Sequence, residues 1–350
     1  MTTLPATSLP EARPDTQVDP RKISRKPSGV DAIFEHSSRA VGASMLVIVG
    51  SVGVFLAWQF VPTMKHYGWS FFTEQQWSPD TDTIGIAAVL VGTFWVAMVA
   101  MFIAFPLALA TALYISEYAP AKVKPTLVSL VDLMAAVPSI VYGLWGFFLI
   151  MPHAAAFATW LNRHFGWIPI FHVNTLSESG AVVPVDPNAA VWDSGRFISG
   201  AFCAGIAVAM MVMPMACAVM RQVFSQAPLG EREAALALGS TKWGMIRSVV
   251  LPFGRGGIIG GTMLALGRAL GETIAVLLIV SPEFVIKARP LEVGTNTVAS
   301  LIAGRFGEAT TSQLSALLAA GFVLFVITLI VNTLAAVIVN RSRSGAGTDA

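Results

Sequence analysis

Within the apolar stretch LGRALGETIAV, from Leu266 to Val276, an arginine and a glutamate stand four residues apart, Arg268 and Glu272. A guanidinium presents a planar fork of donors that matches a tetrahedral oxyanion, and it stays charged at any physiological pH. On an unbroken helix the fourth residue on lies one turn away on the same face, so the Glu272 carboxylate is within reach of Arg268. Two readings follow: a structural salt bridge, or an anion site facing a central pathway. Apolar packing serves a purely structural need as well, since replacing a buried ion pair by apolar residues is often neutral or stabilising. In the functional reading, Glu272 either balances Arg268 when the site is empty or accepts a hydrogen bond from an anion that carries a hydroxyl.

Other reactive side chains form no constellation. Cys203 and Cys217 share one apolar segment and are expected to be small packing residues. The histidines (His36, His66, His153, His164, His172) make no HxxxH or HExxH pair, so no metal site is expected. No G-x-x-x-x-G-K-[ST] phosphate loop occurs, so the chain is not expected to hydrolyse ATP or to be an enzyme. A net charge of +2 without a long basic run gives no sign of nucleic-acid binding.

The element that must carry Arg268 and Glu272 is a membrane helix. Of 350 residues, 55% are hydrophobic and 12% charged, with mean hydropathy +0.70; soluble domains carry about a quarter charged residues. Six apolar segments, at about 41–61, 84–115, 127–151, 197–220, 258–280 and 314–339, are each long enough to span a bilayer. The fold class expected is an all-α integral membrane protein, a six-helix bundle over 41–340. It is flanked by a polar, Pro-rich, basic and flexible tail at 1–40 and a short tail at 341–350. Of 22 Lys and Arg, fifteen fall in the tails and the second and fourth loops, which places both termini and those loops in the cytoplasm. Arg268 then lies about ten residues into a span, roughly 15 Å deep. A charge there costs ~2.5–3.5 kcal/mol on insertion scales, so it is a functional hypothesis by default. Gly267 and Gly271 form a G-x-x-x-G step suited to close approach of another helix.

Two loops on the opposite side are aromatic. WSFFTEQQW (Trp69 to Trp77) is expected to be an interfacial belt, and the loop from about Pro152 to Gly195 contains FATWLNRHFGWIPIF, suited to lying at the membrane surface. The latter is either a structural cover or a platform for an external partner.

The coupling part of the fourth loop, at about 229–252, reads LGEREAALALGSTKWGMIRSVVLP. EREAALAL predicts a short helix with acids in its first turn. Gly239 suits the left-handed conformation that closes it, and Ser240 or Thr241 can cap a second helix. Pro252 and the glycines after it are expected to turn the chain back into the membrane. The order Glu233-Ala234-Ala235, Gly239, Leu251-Pro252 resembles the EAA loop of ATP-binding-cassette import permeases, with Val249 where the family prefers Ile.

The stretch GRALGETIAV, together with AAVPSIVYGLWGFF (Ala135 to Phe148), is similar to the PstC family of permeases of bacterial phosphate-specific import systems. The resemblance implies a multi-pass inner-membrane subunit with Arg268, Glu272 and Thr273 in the translocation pathway. It also implies that Glu233, Ala234 and Gly239 touch a separate ATPase. The implied partners are a PstA-type second permease, a dimer of PstB-type ATPase using ATP and Mg²⁺, and an external PstS-type phosphate-binding protein. Hydrogen phosphate carries a hydroxyl and sulfate does not, so a carboxylate beside Arg268 would favour phosphate. A permease for sulfate, molybdate or phosphonate, or a membrane scaffold for phosphate signalling, are the alternatives.

Overall fold

The computed structural model describes residues 29–176, 182–184 and 197–343. The chain divides into two units, Met1–Val52 and Gly53–Ala350. Helix α1 (Gly29–Tyr67) takes in residues of both units. Residues 29–40, expected as flexible tail, are therefore helical. They have Asp31 in the first turn, where an acid suits the helix dipole, and an Arg39–Glu35 pair at 2.6 Å one turn apart. Residues 1–28 and 344–350 of the expected tails lie outside the described residues.

Among the described residues, six helical stretches are long and apolar enough to cross a membrane: Gly29–Tyr67, Ala87–Tyr118, Ser139–Phe165, Ala201–Ser225, Lys242–Leu270 and Thr311–Val339. The architecture is the expected helical membrane bundle, but two spans differ from their sequence bounds. Where one helix is expected over 127–151, α4 (Lys124–Ala136) stops at Val137–Pro138 and a new axis begins with α5 (Ser139–Trp145). That axis continues through a π-turn into α6 (Met151–Phe165). Pro138 lacks an N–H, and it forces Val137 out of the helical region, to ψ 131°. The aromatic residues Phe157, Trp160 and Phe165, expected in a loop, thus belong to a helix; the rest of that loop falls partly at 177–181 and 185–196, outside the described residues.

The fifth span begins sooner than expected. Its chain does not turn at Pro252; α9 (Lys242–Met245), a π-turn over Ile246–Val250 and α10 (Leu251–Leu270) form one continuous rod. Proline in the first turn after the π-bulge interrupts no regular hydrogen bond there, so the axis runs through it.

The centre of the bundle is the pair α3 (Ala87–Leu113) and α7 (Ala201–Ser225), the most extensive helix contact in the fold. Ala100, Ala104, Ala108 and Ala112 recur every fourth residue and are fully buried. With no lipid-excluding drive between helices, small residues allow the close backbone approach on which van der Waals packing depends. Helix α10 packs on α7 through Gly254, Gly257 and Gly261. A Cβ on Gly257 would stand 2.5 Å from Val223, and one on Gly261 would stand 3.0 Å from the Ala216 carbonyl. α10 also meets α13 (Thr311–Arg343).

A second core forms at the start of α3, around Ile86 and Val89. The antiparallel strands β1 (Trp77–Ser78) and β2 (Thr83–Ile84), with Trp77 opposite Ile84, close against α12 (Val298–Arg305) and α13. Phe71, in the short helix α2 (Ser70–Thr73), and Trp77, both expected as part of an interfacial belt, are buried in it, while Trp69 is exposed.

Candidate substrate pathway and coupling loop

Helix α10 ends two residues after Arg268, and α11 (Ile274–Ile279) starts after a break of three residues, Gly271, Glu272 and Thr273. Gly271 is a poor helix former, and its N–H turns back to the Arg268 carbonyl at 3.2 Å. The Glu272 side chain is buried, with the residue 7% exposed, and its Oε1 accepts the Ala275 N–H at 3.3 Å. It thereby satisfies one of the free donors that open a new helix. The Thr273 hydroxyl donates to the Gly271 carbonyl at 3.1 Å. The salt bridge that the sequence left as one of two readings, Arg268 with Glu272 on one helical face, is not formed. The break separates the two side chains, and the carboxylate is taken by the backbone of α11.

Arg268 is exposed in the single chain. Its Nη2 lies 3.6 Å from the Met211 Sδ of α7, and among the described residues no carboxylate stands within ion-pair distance. It opens into a cleft of about 620 Å³ between α10 and α13, walled by Gly267 and Gly271 on one side and by Gly321, Thr328 and Asn332 on the other. The two glycines expected to draw helices together thus line a gap: a Cβ on Gly267 would stand 3.4 Å from the Asn332 Oδ1, in ordinary contact. Within the chain, α10 makes its close helix approach at the earlier row of Gly254, Gly257 and Gly261. The cleft continues along the same seam into a second of about 410 Å³ that shares Leu264 and Asn332 and reaches Gly260 and Ala336. Asn332 is exposed and makes no side-chain hydrogen bond among the described residues. It was open to recognition in sequence as an amide inside an apolar span.

The stretch Ala135 to Phe148 lies against this break. A Cβ on Gly143 would stand 2.8 Å from the Ala275 Cα, and one on Gly146 would collide with Ile279. The Tyr142 hydroxyl donates to the Met134 carbonyl at 2.8 Å, bridging the interruption at Val137–Pro138. Two interrupted spans therefore pack together beside their breaks.

At the far end of α10, helix α8 (Leu229–Ala237) is closed by Gly239 in the left-handed region, φ 84°. Of the two possible caps for the next helix, Thr241 acts, accepting the Gly244 N–H at 3.1 Å. Glu233 and Ala234 face outward with Leu229 and Leu236, whereas Ala235 packs on the main core. Leu251 is half-buried and Pro252 exposed, both within the rod. Seventeen residues of helix separate Leu251 from Arg268, roughly 26 Å, so the two groups of candidate residues share one helix but not one site. One contact had no signal in sequence: Arg232 pairs with Glu117, 115 positions earlier.

Among the described residues no cluster of His, Cys, Asp and Glu could hold a metal ion, and Cys203 and Cys217 are buried and unpaired. Residues 104–344 match the family described as "Binding-protein-dependent transport system inner membrane component". The chain is 36% identical over 323 residues to "Phosphate transport system permease protein PstC 2" of Mycobacterium tuberculosis, covering 90% of this chain and 93% of that one. It is also 36% identical over 312 residues to "Phosphate transport system permease protein PstC" of Xylella fastidiosa, covering 89% and 91%. In fold it is similar to a chain of a bacterial ABC transporter that imports the acidic polysaccharide alginate, with TM-score 0.56, 15% identity, and coverage of 89% of this chain and 96% of that one.

Proposed function

The chain belongs to the family of binding-protein-dependent transport system inner membrane components and, within it, to the PstC permeases; on that premise we propose that it is the membrane subunit through which an ATP-driven importer passes inorganic phosphate. The observation that carries this reading is Arg268. It is a fixed positive charge at the end of an interrupted membrane helix, open to a cleft and without a carboxylate partner among the described residues. An isolated guanidinium is expensive inside a bilayer and is offset when an anion or a polar cavity meets it. Its fork suits two oxygens of a phosphate at once.

Arg268 is the charged contact for the anion. Glu272 and Thr273 belong to the pathway as the residues that hold the break open, so that Arg268 ends its helix facing the cleft. A PstA-type permease closes the open side, and a PstS-type phosphate-binding protein delivers substrate from outside. A dimer of PstB-type ATPase subunits, holding ATP and Mg²⁺, meets the exposed face of α8 at Glu233 and Ala234. Ala235 and Gly239 fix the shape of that loop, and Leu251 and Pro252 lie in the rod that carries it into α10. The bias of Lys and Arg supports a cytoplasmic position for α8 and both termini. Binding energy is then spent at one interrupted helix, whose two parts, α10 and α11, can shift between two arrangements as the ATPase closes and opens.

The test is ATP-dependent uptake of labelled phosphate by the complex reconstituted in vesicles. Arg268→Ala is expected to abolish uptake while the complex still assembles, and arsenate but not sulfate competes with phosphate in the unaltered complex. Undiminished uptake by Arg268→Ala refutes the site, and equal competition by sulfate refutes the substrate.

A further inference from the structure

Beside Glu233, on the inner side of α8, Arg232 is held where it is 16% exposed, and its partner Glu117 is 4% exposed. Nη1 of Arg232 lies 3.3 Å from Oε1 and 3.4 Å from Oε2 of Glu117, while Nη2 donates to the Phe224 carbonyl in the last turn of α7. Glu117 sits in the π-turn Tyr114–Tyr118 that finishes the second span, and its Oε1 also accepts the Ser116 hydroxyl at 2.7 Å. The Arg232 Nε is buried without an acceptor, so the guanidinium is withdrawn from water. One side chain of α8 therefore grips the ends of the two helices that make the central pair of the bundle. A second tie reaches the same turn, with the Lys242 ammonium 4.8 Å from the centre of the Tyr118 ring.

The two faces of α8 differ accordingly. Leu229, Glu233 and Leu236, at helical spacing, are exposed; Arg232 and Ala235 point into the fold. The covalent path from α8 leads into α10 and on to Arg268, but the guanidinium adds a path to α3 and α7. We propose that Arg232 and Glu117 form a joint that makes α8, α3 and α7 move as one body when the outer face of α8 is pushed, with Arg232 as a positioning residue for coupling. The inference rests on the proposed importer and adds to it the route by which the push enters the bundle. A buried guanidinium that gives one nitrogen to a carboxylate and the other to a main-chain carbonyl has a defined geometry that a single flexible contact lacks.

The test uses the complete reconstituted complex and measures phosphate taken up per ATP hydrolysed. The double variant Arg232→Met with Glu117→Leu leaves no buried charge unpaired, so folding and assembly are expected to survive. The ratio is expected to fall about tenfold, the scale of coupling between linked sites, with hydrolysis retained. Arg232→Lys keeps the charge but loses the fork, and is expected to lie between the double variant and the unaltered complex. A ratio unchanged in the double variant, or in Arg232→Lys if the double variant does not assemble, overturns the joint. Loss of ATPase binding in a folded Arg232→Lys chain overturns it too, since Arg232 would then be a docking residue. No uptake by the unaltered complex overturns the importer itself and the joint with it, which separates the two failures.

Discussion

Glu272 lies four residues after Arg268, yet it gives its carboxylate to the Ala275 N–H at 3.3 Å rather than to the guanidinium. The two charges are neighbours in sequence and have different tasks. Arg268 stays available in the cleft because the helix ends between them, and the helix ends there stably because Glu272 receives a donor of the next one.

This division makes a prediction for Glu272. Glutamine keeps an oxygen that accepts the Ala275 N–H, so Glu272→Gln is expected to retain the preference for phosphate over sulfate. Alanine removes the acceptor and, by analogy with helix caps, lowers stability by about 1 kcal/mol. Uptake with the two competing anions, together with thermal unfolding in detergent, measures both. Loss of anion preference in Glu272→Gln would restore Glu272 to direct contact with substrate.

The seam between α10 and α7 predicts a contrast among glycines. A Cβ on Gly257 would press on Val223 at 2.5 Å, whereas one on Gly260 meets nothing within 4 Å. Gly257→Ala is expected to destabilise by about 1–3 kcal/mol, as overpacking does. Gly260→Ala is expected to be neutral or mildly stabilising through helix propensity. The melting temperatures of the two variants, compared side by side, check the packing directly; equal shifts would contradict it.

Much of this was legible in the chain because it depends on local chemistry. The left-handed Gly239 and the Thr241 cap follow from residue types within a few positions, and the apolar spans follow from length. Arg268 was visible as a charge in an apolar run. The breaks were harder, because Pro138 and Gly271 sit inside stretches whose hydropathy stays high across the interruption. On an unbroken helix Glu272 would share a face with Arg268; the break at Gly271 turns it to the Ala275 N–H instead. The difference between Trp69, exposed, and Trp77, buried, depends on α12 and α13 more than two hundred residues away. No periodicity within WSFFTEQQW encodes it. Arg232 and Glu117 are distant for the same reason, brought together only once α3 and α7 have packed.

A separate expectation concerns acid, at the loop before α3. Asp82 accepts the Tyr67 hydroxyl at 2.7 Å and meets His66 Nε2 at 2.8 Å. The Tyr67 hydrogen bond, and then the one from His66, hold its carboxyl below the usual carboxylate range. A carboxyl lowered on folding adds stability that is full above its unfolded value and is lost as pH falls through the folded one. Asn tolerates the left-handed backbone found here, φ 52°, so Asp82→Asn isolates the charge. The melting temperature of the unaltered protein should exceed that of Asp82→Asn near neutrality, by a small margin because the group is exposed. That margin should close below about pH 4, near the ordinary carboxylate value. A margin that widens in acid would reverse the sign.

Asn332 carries the last expectation. Its amide faces both clefts of the α10–α13 seam and makes no side-chain hydrogen bond among the described residues. It stands opposite Gly267, one residue from Arg268. An anion held by Arg268 and moving along the seam meets this amide, and a hydrogen bond to a charged group contributes about 1.5–3 kcal/mol. Asn332→Leu is therefore expected to lower phosphate uptake at limiting substrate by about tenfold, the lower end of that range, with the melting temperature unchanged because no internal bond is lost. Asn332→Asp is expected to be more severe, since a carboxylate beside the path repels the anion and draws Arg268 to itself. Uptake by Asn332→Asp equal to the unaltered complex would mean that the anion does not travel this seam.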